Sequence, residues 1–474
     1  MSNRVGPVSG VLGLLYASVL SAQPRPLSPN VARYVSVNAP VVALTHARVV
    51  DGTGAAARED QTIIVRGDRI ATVGSASTVK VPVGAQVVDL TGSTVIPGLV
   101  GLHEHTWFGG MAVSTPMSVT APLLYLGMGV TTAMTAGTMF AYQELNLQRA
   151  VDAGVVPGPR FLIAGPYLSA GAPNATSGDR LLTSPEDTRR VIAYWAGEGA
   201  TWFKFLGGET RAELAAGIKE AHARGLKVTG HLCSVTFTEA SALGIDLLQH
   251  GFITNSDYVP GKKPDVCPPE NMKVQADVDV NSPEVQASIR AIVSHGTAVA
   301  STLGVYETFV PERAHLDSAA MEMLSPAAQA EVRSNNADLE KSGFTVPVRL
   351  LKKMMEWERA FVRAGGLLGA GCDPWGTGYL PGFGDLRNYE MLIEAGFSAE
   401  ETVGIMTLNG ARIVGTDKKT GSIVPGKRAD LVVIRGNPVR TPHDIYNVMT
   451  VFKGGIGYDS MKLRAGAKGK VGIM

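Results

Sequence analysis

The chain has no excess of charge of either sign, few cysteines, and no apolar run long enough to cross a bilayer. Lysine and arginine total 43 against 42 aspartate and glutamate. That balance leaves no field to draw the chain to nucleic acid or to an anionic membrane. Three cysteines in 474 residues, Cys233, Cys267 and Cys372, form an odd and sparse set that argues against a disulfide framework. Internal repeats and low-complexity tracts are missing as well, which excludes a fibre or a disordered tail. With 45% hydrophobic and 18% charged residues, the composition is that of a soluble globular protein with room for one barrel-sized domain and a smaller one.

The N-terminus departs from this average. Arg4 precedes the apolar run VLGLLYASVL (Val11 to Leu20), followed by SAQ and the Pro-rich PRPLSPN. A short apolar stretch ending in small residues suits a secretory signal cleaved near Ala22, and it is too short for a stable membrane anchor. Export to a periplasmic or extracellular space is therefore expected, with a cytoplasmic location as the alternative. Residues 1–22 read as a leader and 23–40 as a linker. Asn174 opens a glycosylation sequon that matters only in a eukaryotic secretory route.

From Val41 to about residue 96, and again from 420 to the end, short β-branched runs are punctuated by Gly-containing turns, the pattern of a small β-sheet. The two ends thus read as one composite domain, expected as a small β-sandwich, wrapped around residues 97–419. Between them, short apolar runs alternate with amphipathic helical segments: LVGLH, VTTAMT, RFLIAG, TWFKFL, LKVTGH, DLLQHG, TAVAST and GLLGAGCD. Eight such units predict an α/β fold, a (β/α)8 TIM barrel whose functional face lies at the carboxyl ends of the strands. The long connections Pro166 to Pro185 and Phe252 to Pro283 are expected on that face.

The ionisable residues sort onto the same face. His103 and His105 end the first strand one residue apart, so strand alternation points both imidazoles one way and Glu104 the other. Lys204 lies in the fourth strand, His231 ends the fifth, His250 the sixth and Asp373 the eighth. The other five histidines fall in predicted helices, loops or the β domain. Four strand-end imidazoles with a carboxylate have the donor chemistry of a metal site, and nitrogen with oxygen donors suits zinc without any thiolate. By alternation Cys372 faces the helices as packing, and Cys233 reads as a small buried residue.

Taken in order, VIPGLVGLHEH, FKFLGG, VTGH, LQHG, GAGCDP, TLNGARIVG and GSIVPGKRADLVVI resemble the amidohydrolase superfamily, in its binuclear branch with a carboxylated lysine. The tail and the lysine look most like the imidazolonepropionase-related, Xaa-Pro-dipeptidase-like members. The resemblance implies two divalent cations, most often zinc, one with His103, His105 and Asp373 and the other with His231 and His250. It also implies a carbamate formed on Lys204 by carbon dioxide as their bridge, water activated between the metals as nucleophile, and Asp373 as proton shuttle.

The implied activity is hydrolysis of a carbon–nitrogen bond in a small-molecule amide, either a dipeptide, an N-acyl amino acid or a related apolar or aromatic amide. Trp107, Phe108, Tyr167, Phe252, Trp375 and Tyr379 are expected to line the pocket. Arg387 stands where several relatives have histidine and is the candidate substrate anchor. A cyclic-amide hydrolase or deaminase, a lactone or ester hydrolase, and a non-catalytic binding protein on a degenerate barrel are the competing readings. No nucleic-acid or membrane partner is expected, and assembly into a homo-oligomer stays open.

Overall fold

A computed structural model describes residues 26–109, 114–170, 180–314, 317–343, 345–375 and 379–473. The leader, residues 1–22, and the Asn174 sequon lie outside the described residues. Each of the eight segments with strand patterning forms a strand: β1 (Leu99–Glu104), β2 (Val130–Thr135), β3 (Arg160–Leu162), β4 (Trp202–Phe205), β5 (Lys227–Gly230), β6 (Leu247–Gln249), β7 (Ala298–Ser301) and β8 (Leu368–Ala370). They lie in one parallel sheet in the order β3-β2-β1-β8-β7-β6-β5-β4. The two ends of that order also meet. Ala164, just past β3, makes a parallel bridge to Trp202 of β4, and Leu168 pairs with Phe205.

The strands are buried on both faces, which is why they read as nearly continuous apolar runs. One face carries its own cluster, including Val100, Leu102, Met134, Trp202, Leu247 and Ala298. The other packs Leu99, Phe203, Phe205, Val228, Leu248 and Leu368 into the larger core beneath the helices. The helix Arg211–Ala223 begins with a capping box in which the Thr210 side chain and Glu213 exchange hydrogen bonds with each other's backbone N–H groups. Val346–Arg363 is the most amphipathic helix, turning Leu350, Met354, Trp357 and Phe361 inward.

Two local features aim side chains at the carboxyl edge of the sheet. The pairing of β1 with β2 slips between Gly101–Ala133 and Glu104–Thr135, a bulge that resets the phase of β1 after Leu102. Bulges of this kind re-aim side chains next to functional sites. At the end of β8, Gly371 lies so close to β1 that an added Cβ would stand 2.3 Å from the His103 backbone nitrogen. Only glycine allows this approach.

Both chain ends contribute to a second, nine-stranded sheet with mixed pairing. Its order is Val35–Val37, Ile456–Asp459, Val448–Lys453, Leu431–Arg435, Ser93–Pro97, Val41–Val49, Arg58–Arg66 and Arg69–Ser75, with Gln86–Asp89 also on Val41–Val49. The antiparallel contact of Leu431–Arg435 with Ser93–Pro97 joins the two ends, around a core that includes Val42, Leu44, Ile63, Val95, Leu431 and Phe452. These nine strands thus make one continuous sheet. Within the stretch read as a linker, Pro29–Ala32 is helical and Val35–Val37 already belongs to this sheet. The apolar Val35 and Val37 alternate about Ser36 and pair with Tyr458 and Gly457, which is why the chain is structured there.

The cysteines correct the expectation drawn from their number. Cys233 and Cys267 form a disulfide across a sequence separation of 34, with Cα atoms 4.9 Å apart, while Cys372 is free and buried. A cross-link closing a loop of this length contributes on the order of 3–4 kcal/mol through the unfolded state. No helix among the described residues is long and apolar enough to cross a membrane.

Candidate metal centre

At the carboxyl edge, His103 and His105 leave the bulged end of β1 on the same side, and Asp373 arrives from β8. Asp373 Oδ1 lies 3.4 Å from His103 Nε2 and 3.1 Å from His105 Nε2, and Asp373 Oδ2 lies 3.5 Å from His250 Nδ1. The His103 and His250 rings are 4.5 Å apart between centroids, and those of His231 and His250 4.6 Å. Lys204, on the inward face of β4, is 1% exposed. Strand-end placement therefore brings together all six residues singled out from the sequence.

Two of them hold left-handed backbone conformations that side chains other than glycine rarely adopt: His250 at φ 68° and Asp373 at φ 49°. Such strain persists where the surroundings over-determine it, and it concentrates at functional sites.

Burial sets the electrostatics. It holds His103 and His250 well below the usual imidazole range, with further lowering from Lys204 at His103 and from His231 at His250. His231 is lowered to about 4 by burial and then by Lys204. Burial brings Lys204 down to about 7 against the opposing pull of Asp373. Burial thus favours the neutral, lone-pair forms of His103, His231 and His250 and moves Lys204 toward its own.

The donor set fits a divalent cation. One donor atom from each of His103, His105 and Asp373 lies within 4.8 Å of the others. The tautomer of His103 is fixed from behind, because its Nδ1 meets Gln249 Oε1 at 2.8 Å and leaves Nε2 free toward Asp373. His250 Nδ1 lies 2.9 Å from Thr302 Oγ1. His105 Nδ1 is buried with no hydrogen-bond partner among the described residues, a polar atom left unsatisfied by them.

Behind the centre, Glu104 points away as alternation requires, into a buried group with Cys372 and Asp385. Its Oε1 accepts from the Cys372 backbone N–H at 3.2 Å. Burial pushes Glu104 up, helped by Asp385, and brings Asp385 to about 7. Tyr125 ties the same region to β1, since its hydroxyl accepts from the His105 N–H at 3.0 Å and lies 2.9 Å from the His105 carbonyl.

The residues expected to line the pocket divide. The Tyr167 hydroxyl is 3.5 Å from His105 Nε2, and the Trp107 ring lies 4.8 Å from the His105 ring. Trp375 is 46% exposed and packs over Gly109, next to Trp107. The others sit elsewhere. Phe252 is fully buried and stacked on Trp357 at 5.7 Å, because the chain turns inward after the left-handed His250–Gly251 pair. Phe108 is buried in the main core. The Tyr379 hydroxyl turns to Glu307 Oε2 at 3.4 Å.

Arg387 is likewise committed. Its Nε and Nη2 hold both oxygens of Glu307 at 2.7 Å, and Nη1 holds Glu390 at 2.6 Å. It lines a charged cavity of about 520 Å³ with Arg313, Tyr379 and His443, and its bidentate partner is already in the protein. Sequence reading missed Gln249, Thr302 and Tyr306, whose ring stands perpendicular to His250 at 5.6 Å. Gln249 had a signal in LQHG, but simple alternation turns it away from its neighbour. The left-handed φ at His250 lets both face inward.

A parallel sheet that gathers imidazole, carboxylate and amine donors at its carboxyl edge defines an α/β protein with a candidate metal site. Residues 368–457 match the amidohydrolase family. A 103-residue stretch is 35% identical to the Deacetylase Atu3266 of Agrobacterium fabrum, covering 22% of this chain and 24% of that protein; the match spans about a quarter of the curated relative's length. A Bifidobacterium longum protein provisionally named a prolidase is similar in structure over 90% of this chain and 98% of its own, at TM-score 0.64 and 25% identity. A Xaa-Pro dipeptidase with methionine bound in its active site has a similar fold over 88% of this chain and 100% of its own, at TM-score 0.66 and 19% identity. The chain is thus similar to the amidohydrolase family over residues 368–457 and shares the fold of these prolidase-like proteins over most of its length.

Replacing Gln249 with leucine tests the support behind His103. The variant should fold normally by circular dichroism and bind a divalent cation 10- to 100-fold more weakly in competition with a chelating dye, the usual cost of losing an outer hydrogen bond to a ligand histidine. Undiminished affinity would mean that the amide plays no part in orienting the ring.

Proposed function

We propose that this chain is a metal-dependent hydrolase that cleaves the carbon–nitrogen bond of a dipeptide, an N-acyl amino acid or a related amide. The carrying observation is the convergence of His103, His105, Lys204, His231, His250 and Asp373 at the carboxyl edge of one parallel sheet, with Asp373 within 3.1–3.5 Å of three of the imidazoles. The eight strands read as a (β/α)8 barrel closed by the Ala164–Trp202 bridge, spanning 97–419, beside a β domain composed of 41–96 and 420–474.

His103, His105 and Asp373 would hold one cation, and His231 and His250 a second. Zinc suits this set of nitrogen and oxygen donors. When bound, such ions polarise a carbonyl and lower the pKa of water. Lys204, brought to about 7, presents the neutral amine that adds to carbon dioxide. The new N–C bond and the loss of one amine proton give a carbamate, whose two anionic oxygens can serve two cations where an ammonium cannot.

Asp373 has the position to accept a proton from the attacking water and return it to the leaving amine. Tyr167, at the edge of the centre, is placed to donate a hydrogen bond to the substrate. Trp107 and Trp375 supply an aromatic wall, which supports an apolar or aromatic group on the substrate. The names of the relatives, a deacetylase and a Xaa-Pro dipeptidase, support amide substrates over lactones.

The Cys233–Cys267 disulfide favours an oxidising compartment and so supports export. On that reading, N-terminal sequencing of natively expressed protein gives a start near Gln23. A start at Met1 in the cytosolic fraction would refute it.

The central test of the activity uses a panel of dipeptides and N-acyl amino acids with metal-loaded protein. Chelation should abolish turnover, and zinc or manganese should restore it. Asp373→Asn keeps size and one coordinating oxygen but loses the proton acceptor. Turnover should fall by roughly 10²- to 10⁴-fold while the fold and much of the metal are kept. Near-normal turnover with metal bound would remove Asp373 from the mechanism, and full activity after rigorous chelation would remove the metals.

A further inference from the structure

The disulfide is attached to the centre by more than its sulfurs. Cys233 lies two residues past His231, in the short turn between β5 and the helix Phe237–Ala242. Cys267 belongs to the long connection after β6, which begins next to His250. That connection grips the turn at several points: Ser256 Oγ donates to the Cys233 carbonyl at 2.6 Å, Lys262 Nζ to the Ser234 carbonyl at 2.7 Å, and the Phe237 N–H to Asn255 Oδ1 at 3.2 Å. Ser234 Oγ in turn donates to the Glu209 carbonyl at 2.7 Å, in the loop that follows Lys204.

His231 has no supporting hydrogen bond like that of His103 to Gln249 or His250 to Thr302 among those the structure records. Its ring meets the others through a perpendicular contact with His250. The backbone after it is held by the strap instead, and Cys267 is on the exposed side of that strap.

We propose that the Cys233–Cys267 disulfide is a positioning device for His231, so that the cation position served by His231 and His250 is fully retained only while the disulfide is closed. A dithiol reductant opens it by delivering two electrons and two protons. The S–S bond becomes a thiol on each cysteine, and the dithiol closes to its own disulfide. The turn Leu232–Thr236 then keeps its hydrogen bonds but loses its covalent tie, and the order of His231 drops with it. Cys233 and Cys267 are thereby positioning residues. Reduction acts on one of the two cation positions and leaves the His103, His105 and Asp373 set intact.

This inference rests on the proposed metal centre for its first readout and is independent of it for its second. The folded full chain is compared oxidised, reduced with a dithiol, and as Cys267→Ser, first by elemental analysis after dialysis in zinc-limited buffer and then by amide hydrogen exchange. Bound zinc should fall from about two per chain toward one in the reduced and serine forms, and exchange across residues 231–236 should accelerate about tenfold or more. Reoxidation of the wild-type chain should restore both. In a His231→Ala background, opening the disulfide should cause no further loss of zinc, whereas a general structural role would.

Equal zinc in the oxidised and reduced forms overturns the proposal. If the oxidised protein holds no zinc, the metal centre itself is refuted, and the strap is judged by exchange: unchanged protection across 231–236 overturns it. Should Cys267→Ser fail to fold, reduction of the folded wild-type chain gives the same comparison.

Discussion

Nitrogen bases buried side by side cannot all carry protons, and this constraint governs the carboxyl edge of the sheet. His103, His105, His231, His250 and Lys204 converge there around one carboxylate, with neighbouring imidazole centroids 4.5–5.2 Å apart. Desolvation and mutual repulsion favour the neutral forms of His103, His231 and His250 and bring Lys204 down to about 7. A cluster of neutral lone pairs with one carboxylate is poor at stabilising itself and good at binding divalent cations. The left-handed backbones of His250 and Asp373 and the orphaned Nδ1 of His105 are where the fold accepts local cost to hold that arrangement.

The scaffold supplies the order that the donors lack. They reach the centre from five different strands, His103 and His105 sharing β1, so pairing register rather than loop conformation fixes most of the geometry. The bulge in β1 and the Cβ-free approach of Gly371 to His103 set the separation of the first and last strands. Behind them, the buried Glu104 and Asp385 hold the far side of β1, while Gln249 and Thr302 orient individual rings. His231 differs: its backbone N–H donates to the Phe205 carbonyl at 2.9 Å, and the turn after it is held by the next connection.

The eight strands and the strand positions of the six candidate donors were legible because both follow from short-range rules: apolar runs between turn signals, and strand alternation at HEH. What was not legible depended on contacts between distant segments or on backbone exceptions. Cys233 and Cys267 pair because two loops fold together over the same edge, which cysteine count alone cannot reveal. Phe252 looked like a pocket residue, but the left-handed turn at His250 and Gly251 directs it into the core against Trp357. Arg387 looked free to bind a substrate until Glu307, eighty positions away in sequence, filled its guanidinium fork. Gln249 was hidden because the same φ at His250 breaks the alternation that would have turned it away.

The proposed chemistry turns on whether Lys204 is carboxylated between two cations. Carbon-13 NMR of metal-loaded protein equilibrated with labelled bicarbonate tests this without reference to any substrate. One carbamate resonance per chain is expected, lost on chelation and absent from Lys204→Arg. No such resonance in fully metal-loaded protein, or one that persists in Lys204→Arg, would contradict it.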